Sequence, residues 1–133
     1  MPTCGRVPMI SIVDDDELVR ESTQALVRSL GYGAHTFASA EEFLSSDQVD
    51  DTSCLITDVQ MGGLSGVELQ RRLIAEGRRM PIIFVTAFPD ERTRSRVLNA
   101  GAIGFLSKPF SDENLIDCLA TALANDSSGN TAQ

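Results

Sequence analysis

Hydrophobic residues gather in short blocks along the chain, and amphipathic segments separate the blocks. Residues 9–13, 53–57 and 82–86 form three nearly continuous apolar runs, a pattern typical of strands that are buried on both faces. Weaker runs occupy residues 34–37 and 103–106. The pattern therefore predicts five strands.

The segments between the runs have the apolar spacing of helices. Gly31, Gly77 and Gly101 follow three of these segments, and glycine readily adopts the left-handed conformation that ends many helices. Ser111 is a suitable N-cap for the last helix. We predict helices at residues 18–31, 40–44, 67–77, 90–100 and 111–124.

Strand and helix alternate five times, which indicates parallel strands joined by right-handed crossovers. The expected fold class is α/β: a doubly wound five-stranded parallel sheet in the flavodoxin-like order 2-1-3-4-5, with helices on both faces. We expect one domain at residues 9–124. An N-terminal extension would occupy residues 1–8, and a polar tail or linker stub would occupy residues 125–133.

Composition and charge disfavour direct nucleic-acid binding and a membrane-spanning segment. The net charge is −8, so the chain as a whole has no electrostatic basis for binding nucleic acid directly. Arginines cluster within residues 71–79 and 92–96, where a solvated helix face is the favoured explanation. No apolar run approaches the ~20 residues that cross a bilayer. We expect a cytoplasmic protein without a membrane segment.

Three cysteines, Cys4, Cys54 and Cys118, are present. An odd number without close spacing predicts neither a disulfide framework nor a zinc site. We expect three reduced thiols, as is usual in the cytoplasm.

Polar side chains stand where the predicted strands end. Asp14 and Asp15 follow the first strand, Asp58 ends the third, Thr86 ends the fourth and Lys108 follows the fifth. Ligands of open α/β sheets bind beyond the carboxyl ends of the strands. Carboxylates gathered there would repel one another. Mg²⁺, which takes oxygen ligands together with waters and phosphate oxygens, would relieve that repulsion.

Each of these residues also has an ordinary explanation when taken alone. Acidic residues before a helix complement its dipole, which is the favoured explanation for Asp16 and Glu17 and an equal one for Asp14 and Asp15. The other three side chains have structural explanations too, as a loop cap, a hydroxyl bonded to backbone and a surface lysine. Their coincidence at one edge of the sheet favours a site.

From about Met9 to Ala124, the chain resembles the response-regulator receiver family of two-component signalling systems. Four motifs occur in the family's order and spacing: Ile12-Val13-Asp14-Asp15, Asp58-Val59-Gln60-Met61 through Leu64-Ser65-Gly66, Val85-Thr86-Ala87, and Lys108-Pro109-Phe110. One departure is that Gly62 and Gly63 follow Met61, where the family usually has proline. Because glycine has a wide choice of backbone conformations, we expect a less rigid loop.

The resemblance implies a Mg²⁺ site and a phosphoacceptor. It makes Asp58 the nucleophile that accepts a phosphoryl group. Asp15 would bind Mg²⁺ directly and Asp14 mostly through water. Asp58 and the backbone carbonyl of Gln60 would complete the protein ligands.

The resemblance also implies partners for the phosphoryl group. Lys108 would pair with one of its oxygens and Thr86 would hydrogen-bond another. Phe105 matches the family's switch aromatic, although an ordinary core phenylalanine is about as good an explanation. The Lys108–Pro109 bond matches the family's cis peptide.

The implied activity is that of a signalling switch, which is not an enzyme although it takes part in its own phosphotransfer and autodephosphorylation. The donor would be a phosphohistidine on a sensor histidine kinase or phosphotransfer protein. The face of helix four, strand five and helix five would then control a partner or output domain. Gln60 and Phe88 match positions that tune the lifetime of the phosphorylated state.

Helix five presents two apolar stripes, Ile116-Leu119-Leu123 and Leu115-Cys118-Ala122. The sheet needs one of them, so we expect phosphorylation to promote a homodimer through helices four and five. Core packing of both stripes is an equally good explanation.

Two other protein classes share part of this pattern. A haloacid-dehalogenase-like phosphatase also uses a strand-end aspartate, but it needs a general acid two residues later, and Gln60 cannot donate that proton. A flavodoxin-like FMN protein cradles phosphate after its first strand, but residues 14–17 are acidic here and would repel it. Both are disfavoured.

Overall fold

The computed structural model describes residues 7–131, with side chains described up to residue 124. Five strands alternate with five helices. The strands are β1 (Met9–Val13), β2 (Gly33–Phe37), β3 (Cys54–Asp58), β4 (Ile82–Thr86) and β5 (Gly104–Ser107). The helices are α1 (Glu17–Ser29), α2 (Ala40–Ser45), α3 (Gly66–Ala75), α4 (Glu91–Asn99) and α5 (Asp112–Thr131).

All strands are parallel, and the sheet has the order β2-β1-β3-β4-β5, as predicted. The order reverses between β1 and β3, whose carboxyl ends therefore lie side by side. This switch point is the usual position of a ligand site in an open parallel sheet.

Helices cover both faces of the sheet, and alternate strand residues enter two separate cores. Ile12, Ile56 and Val85 pack with Val27 of α1 and Leu115 of α5 on one face. On the other face, a second core contains residues of β1, β3 and β4 with residues of α2, α3 and α4: Val13, Leu55, Phe84, Phe43, Leu69, Leu73 and Val97. Burial on both faces explains why the central strands are continuous apolar runs.

Some predicted boundaries differ from the structure. β3 ends at Asp58, which pairs with Val85, as predicted, but it begins at Cys54, one residue after the start of the predicted run at Ser53. β5 lies one residue later than predicted, and α5 continues past the predicted end at Ala124 to Thr131. No proline follows Ala124, and the next glycine is Gly129, so nothing in the local sequence breaks the helix there. A linker role for residues 125–133 remains a prediction, and residues 1–6 and 132–133 lie outside the described part.

Most of the clustered arginines lie on the surface of the domain. The arginines of α4 are exposed, as expected for a solvated face, while Arg78 pairs with Asp50 and Glu76. Within the described residues, no helix is both long and apolar enough to span a membrane.

Burial, and then the neighbouring Asp117, raise the pKa of the Cys118 thiol, which keeps it protonated. Cys4 lies outside the described residues.

Candidate functional site

The predicted site residues meet at the carboxyl edge of the sheet. Asp14 directly follows β1, Asp58 and Thr86 end β3 and β4, and Lys108 directly follows β5. Since β1, β3, β4 and β5 are consecutive neighbours in the sheet, these residues lie next to one another, as the sequence predicted.

Three carboxylates form the centre of this site. Asp14, Asp15 and Asp58 each offer an oxygen, and these oxygens lie within 4.8 Å of one another. Asp14 and Asp58 are buried, with 2% and 5% of their surface exposed, whereas Asp15 is exposed. One side of the cluster is therefore closed by protein and the other is open to solvent.

Lys108 reaches into the cluster and pairs with both buried acids. Its Nζ lies 2.9 Å from Asp14 Oδ2 and 3.1 Å from Asp58 Oδ2. The Lys108–Pro109 peptide bond is cis, which confirms that expectation. The Lys108 backbone N–H donates to the carbonyl of Thr86 at 2.7 Å, which fixes the start of this side chain against β4.

Burial and charge shift the ionisation of this group. Desolvation, and then the charge of Asp14, raise the pKa of Asp58 above its usual 3.8, although Lys108 acts against both. Burial alone would lower the pKa of Lys108, but the adjacent carboxylates of Asp14 and Asp58 outweigh it and raise that pKa. Lys108 therefore stays positively charged, whereas ionisation of Asp58 in the folded protein costs free energy.

One buried oxygen of the site lacks a hydrogen-bond donor. Among the described residues, Asp14 Oδ2 is buried without a hydrogen-bond donor, because the Lys108 ammonium is close but not aligned for such a bond. An oxygen of this kind within a group of three carboxylates fits a Mg²⁺ ion. The Gln60 carbonyl, two residues after Asp58 in the sequence, also accepts no hydrogen bond from the described part of the chain.

Backbone contacts hold the two buried aspartates in place. Asp14 Oδ1 accepts from the Asp16 N–H at 2.9 Å, and the Asp14 carbonyl accepts from Arg20 Nη1 at 2.6 Å. The start of α3 lies against β3 so closely that a Cβ at Gly66 would stand 2.2 Å from the Asp58 carbonyl oxygen. Neither the Arg20 contact nor the Gly66 contact could be predicted from the sequence, because both depend on how helices dock on the sheet.

The three side chains expected to respond to phosphate, Thr86, Phe88 and Phe105, differ in their burial. Thr86 is buried, and its Oγ1 accepts from the Phe88 N–H at 3.0 Å. The Phe88 ring is 72% exposed, so it does not cover the carboxylates in this structure. Phe105 is partly buried and packs against the core that contains Phe84.

Comparison with known proteins decides the family. The sequence model of the response regulator receiver domain matches residues 10–120. The chain belongs to the response-regulator receiver family. This membership also removes the phosphatase and flavin-binding alternatives from consideration, because the receiver motifs account for the same strand-end residues.

Relatives with the same receiver domain are similar along most of this chain. Nodulation protein W of Bradyrhizobium diazoefficiens is 40% identical over 94% of this chain and 55% of its own length. Response regulator protein TmoT of Ectopseudomonas mendocina is 42% identical over 86% of this chain and 52% of its own length. The chain thus spans about half the length of these curated relatives.

Solved structures agree with the receiver fold. Response regulator StyR superimposes with a TM-score of 0.87 at 39% identity, over 95% of this chain and 64% of that one. A response regulator receiver protein from Burkholderia phymatum has a TM-score of 0.75 at 41% identity, over 88% of this chain and 95% of its own.

The receiver's α5 helix uses parts of both apolar stripes for its core. Leu115, Leu119 and Ala122 are buried, whereas Ile116 and Leu123 are partly buried. The buried residues therefore come from both predicted stripes. Leu123 packs against the core of α1 and α5, whereas Ile116 is not among the side chains packed against that core.

Proposed function

We propose that this receiver domain accepts a phosphoryl group on Asp58 and changes conformation in response. The observation that supports this most directly is the position of Asp58, which ends a buried strand between Asp14 and the ammonium of Lys108. An Asp58 carboxylate oxygen would attack phosphorus, the P–N bond to a donor histidine would break, and that nitrogen would leave with the electron pair. The product is an aspartyl phosphate.

Mg²⁺ would supply the charge neutralisation that lets two anions approach each other. Asp15 and Asp58 would bind it directly, Asp14 mostly through water, and the Gln60 backbone carbonyl would be a further ligand. Lys108 already faces Asp58 Oδ2, so it is placed to pair with a phosphoryl oxygen on the same carboxylate. The buried Thr86 hydroxyl would turn from the Phe88 N–H to another phosphoryl oxygen.

Partners and output follow from the family and remain part of this proposal. The donor is a sensor histidine kinase or a phosphotransfer protein in the cytoplasm. Phosphorylation shifts the α4–β5–α5 face, through Thr86 and Phe105, toward a state that controls a partner or output domain. Several relatives of about twice this length are named transcriptional regulatory proteins, so nucleic-acid binding would belong to an output domain rather than to this receiver. The domain is a switch rather than an enzyme, and it takes part in its own phosphotransfer and dephosphorylation.

Removal of the exposed acid should weaken Mg²⁺ binding. We expect Asp15→Ala to lower Mg²⁺ affinity about tenfold or more in calorimetry, because a direct carboxylate ligand is lost from a divalent cation. Glu17→Ala is the matched control, since Glu17 is an exposed acid in the first turn of α1 and lies outside the carboxylate cluster. Equal affinities in the two variants would show that Asp15 only complements the helix dipole.

The lifetime of the phosphorylated state should depend on Phe88. Water attacks the aspartyl phosphate in line with the Asp58 oxygen, and an aromatic ring above that path would exclude water. The ring is exposed in this structure, so this prediction requires it to move when Thr86 turns toward phosphate. We expect Phe88→Glu to release phosphate several-fold faster than wild type after removal of the donor at fixed Mg²⁺. Equal rates would place the ring away from the attack path, and Gln60→Ala would then report the other predicted tuning position.

Phosphorylation should also promote a homodimer. The expected contact is the α4–β5–α5 face, where Ile116 is only partly buried. Sedimentation velocity with beryllofluoride and Mg²⁺ should show association in wild type and none in Asp58→Asn. A wild type that stays monomeric at high concentration would contradict this prediction and favour the core explanation for both stripes of α5.

A further inference from the structure

The loop between β3 and α3 has few internal restraints. Gly62 and Gly63 lie at its centre and both are exposed. Just after β3, the loop is held by a hydrogen bond from the Gln60 N–H to Asp58 Oδ1, at 3.3 Å. At its other end, the loop is held by the capping box of Ser65 and Glu68 at the start of α3. Between these two points the backbone would be unrestrained if nothing outside the loop bound it.

A carboxylate from another helix binds this stretch. Glu41 Oε2 accepts from the Leu64 N–H at 3.1 Å, across 23 residues of sequence. The same oxygen lies against Gly63, where a Cβ would stand only 2.9 Å from it. In the described part of the chain, this is the only hydrogen bond that reaches the backbone of residues 61–64.

Gly63 is suited to this contact for two reasons. Its φ of +91° lies in the left-handed region, where residues with a side chain are strained. The absence of a side chain also lets the Glu41 carboxylate approach the loop closely. Gly63 therefore makes the loop more flexible, and it also leaves room for the Glu41 carboxylate that holds the loop.

Glu41 projects from an anchored helix. Ala40 and Phe43, its neighbours on α2, are fully buried in the core. The adjacent Glu42 is occupied in the helix cap, since its Oε1 accepts from the Ala38 N–H while its own N–H donates to Ser39. Of the two acids of α2, Glu41 is thus the one whose side chain is available to bind the loop. The helix that carries it is held in place by the buried side chains of Ala40 and Phe43.

We propose that Glu41 is a positioning residue for the Mg²⁺ site. By holding the loop at Leu64, it keeps the Gln60 carbonyl, four residues earlier, at the carboxylate cluster. The proposal rests on the function proposed above, because it assumes that Mg²⁺ binds there. The two packed side chains of the loop, Met61 and Leu64, are the competing restraint, since both lie against the core.

Calorimetry with Mg²⁺ separates positioning from simple attraction of the cation. We expect Glu41→Ala to weaken Mg²⁺ binding about three- to tenfold, the range for one hydrogen bond that orders a loop. Glu41→Gln loses the charge but keeps an acceptor oxygen, so it should bind Mg²⁺ nearly as well as wild type. If Glu41→Gln binds as weakly as Glu41→Ala, Glu41 acts through its charge and the proposal is wrong. Wild-type affinity in Glu41→Ala would equally overturn it.

A second substitution and a second measurement sharpen the test. Gly62 is not in the left-handed region, and open space surrounds the position of a Cβ there. Gly62→Ala should stiffen the loop and restore part of the affinity lost in Glu41→Ala. Hydrogen exchange of the Leu64 amide, measured without Mg²⁺, should be faster in Glu41→Ala than in Glu41→Gln. Should wild type bind no Mg²⁺, the proposed function and the positioning role would fail together, whereas slow Leu64 exchange would still demonstrate the contact itself.

Discussion

Asp58→Asn should abolish phosphoryl uptake and at the same time make the domain more stable. Asparagine offers no carboxylate nucleophile, so incubation with acetyl phosphate and Mg²⁺ should add phosphoryl mass to wild type and none to the variant. Intact-mass spectrometry measures this directly. Full labelling of Asp58→Asn would assign the phosphoacceptor to another residue.

The gain in stability follows from the sign of the pKa shift. The folded protein raises the pKa of Asp58 by burial and by the charge of Asp14. The protonated form is therefore favoured by folding, and that stabilisation is present below the unfolded pKa near 3.8 and lost as pH rises through the higher folded pKa. At neutral pH the ionised carboxylate destabilises the fold, and asparagine removes that penalty.

We expect the unfolding temperature of Asp58→Asn to rise at pH 7 without Mg²⁺, and each 1 kcal/mol of relieved penalty would raise it by about 3–5 °C in a domain of this size. The difference should shrink as the pH is lowered. Mg²⁺ should stabilise wild type more than the variant, since an ion that binds only the folded state raises its stability. A lower unfolding temperature for Asp58→Asn at pH 7 would show that the bond to Lys108 outweighs the burial penalty.

The sequence was sufficient to predict the sheet because its central strands are buried on both faces. β1 and β4 have the predicted ends, since their apolar runs are bounded by polar residues or proline. The C-terminal end of β5 was less clear from the pattern, because Ser107 is polar and yet remains paired with Thr86. Local patterns identify buried strands, but they do not show whether a polar residue continues the pairing.

The same distinction applies to the site. Parallel strands bring their carboxyl ends to one edge, so the positions of Asp14, Asp58, Thr86 and Lys108 in the sequence were enough to predict that they meet. The contact of Glu41 with Leu64 could not be predicted, because it depends on how α2 docks beside a loop that is distant in sequence. Side chains gathered by topology can be predicted from strand ends, whereas contacts made by helix docking cannot.

Lys108 offers the sharpest test of how this site balances its charges. Lys108→Met keeps the apolar stem of the side chain and removes the ammonium that lies near both Asp14 and Asp58. Two buried carboxylates would then face each other without a cation. Breaking a fully buried pair costs about 3–5 kcal/mol. Because the lysine side chain is 14% exposed and Asp15 leaves one side open, we expect a smaller loss of about 1–3 kcal/mol at pH 7.

A double-mutant cycle shows whether this loss has the expected origin. In an Asp58→Asn background Lys108 faces one buried carboxylate, Asp14, instead of two, so Lys108→Met should cost clearly less there than in wild type. Mg²⁺ should raise the unfolding temperature of Lys108→Met more than that of wild type, because the ion replaces the missing positive charge. Phosphoryl uptake should nevertheless stay severely reduced, since Mg²⁺ restores the ground-state charge balance but does not supply the cation that faces Asp58 Oδ2. Equal destabilisation by Lys108→Met in both backgrounds would mean that the lysine acts mainly through packing of its stem and through Asp14, and that Asp58 is held in place without it.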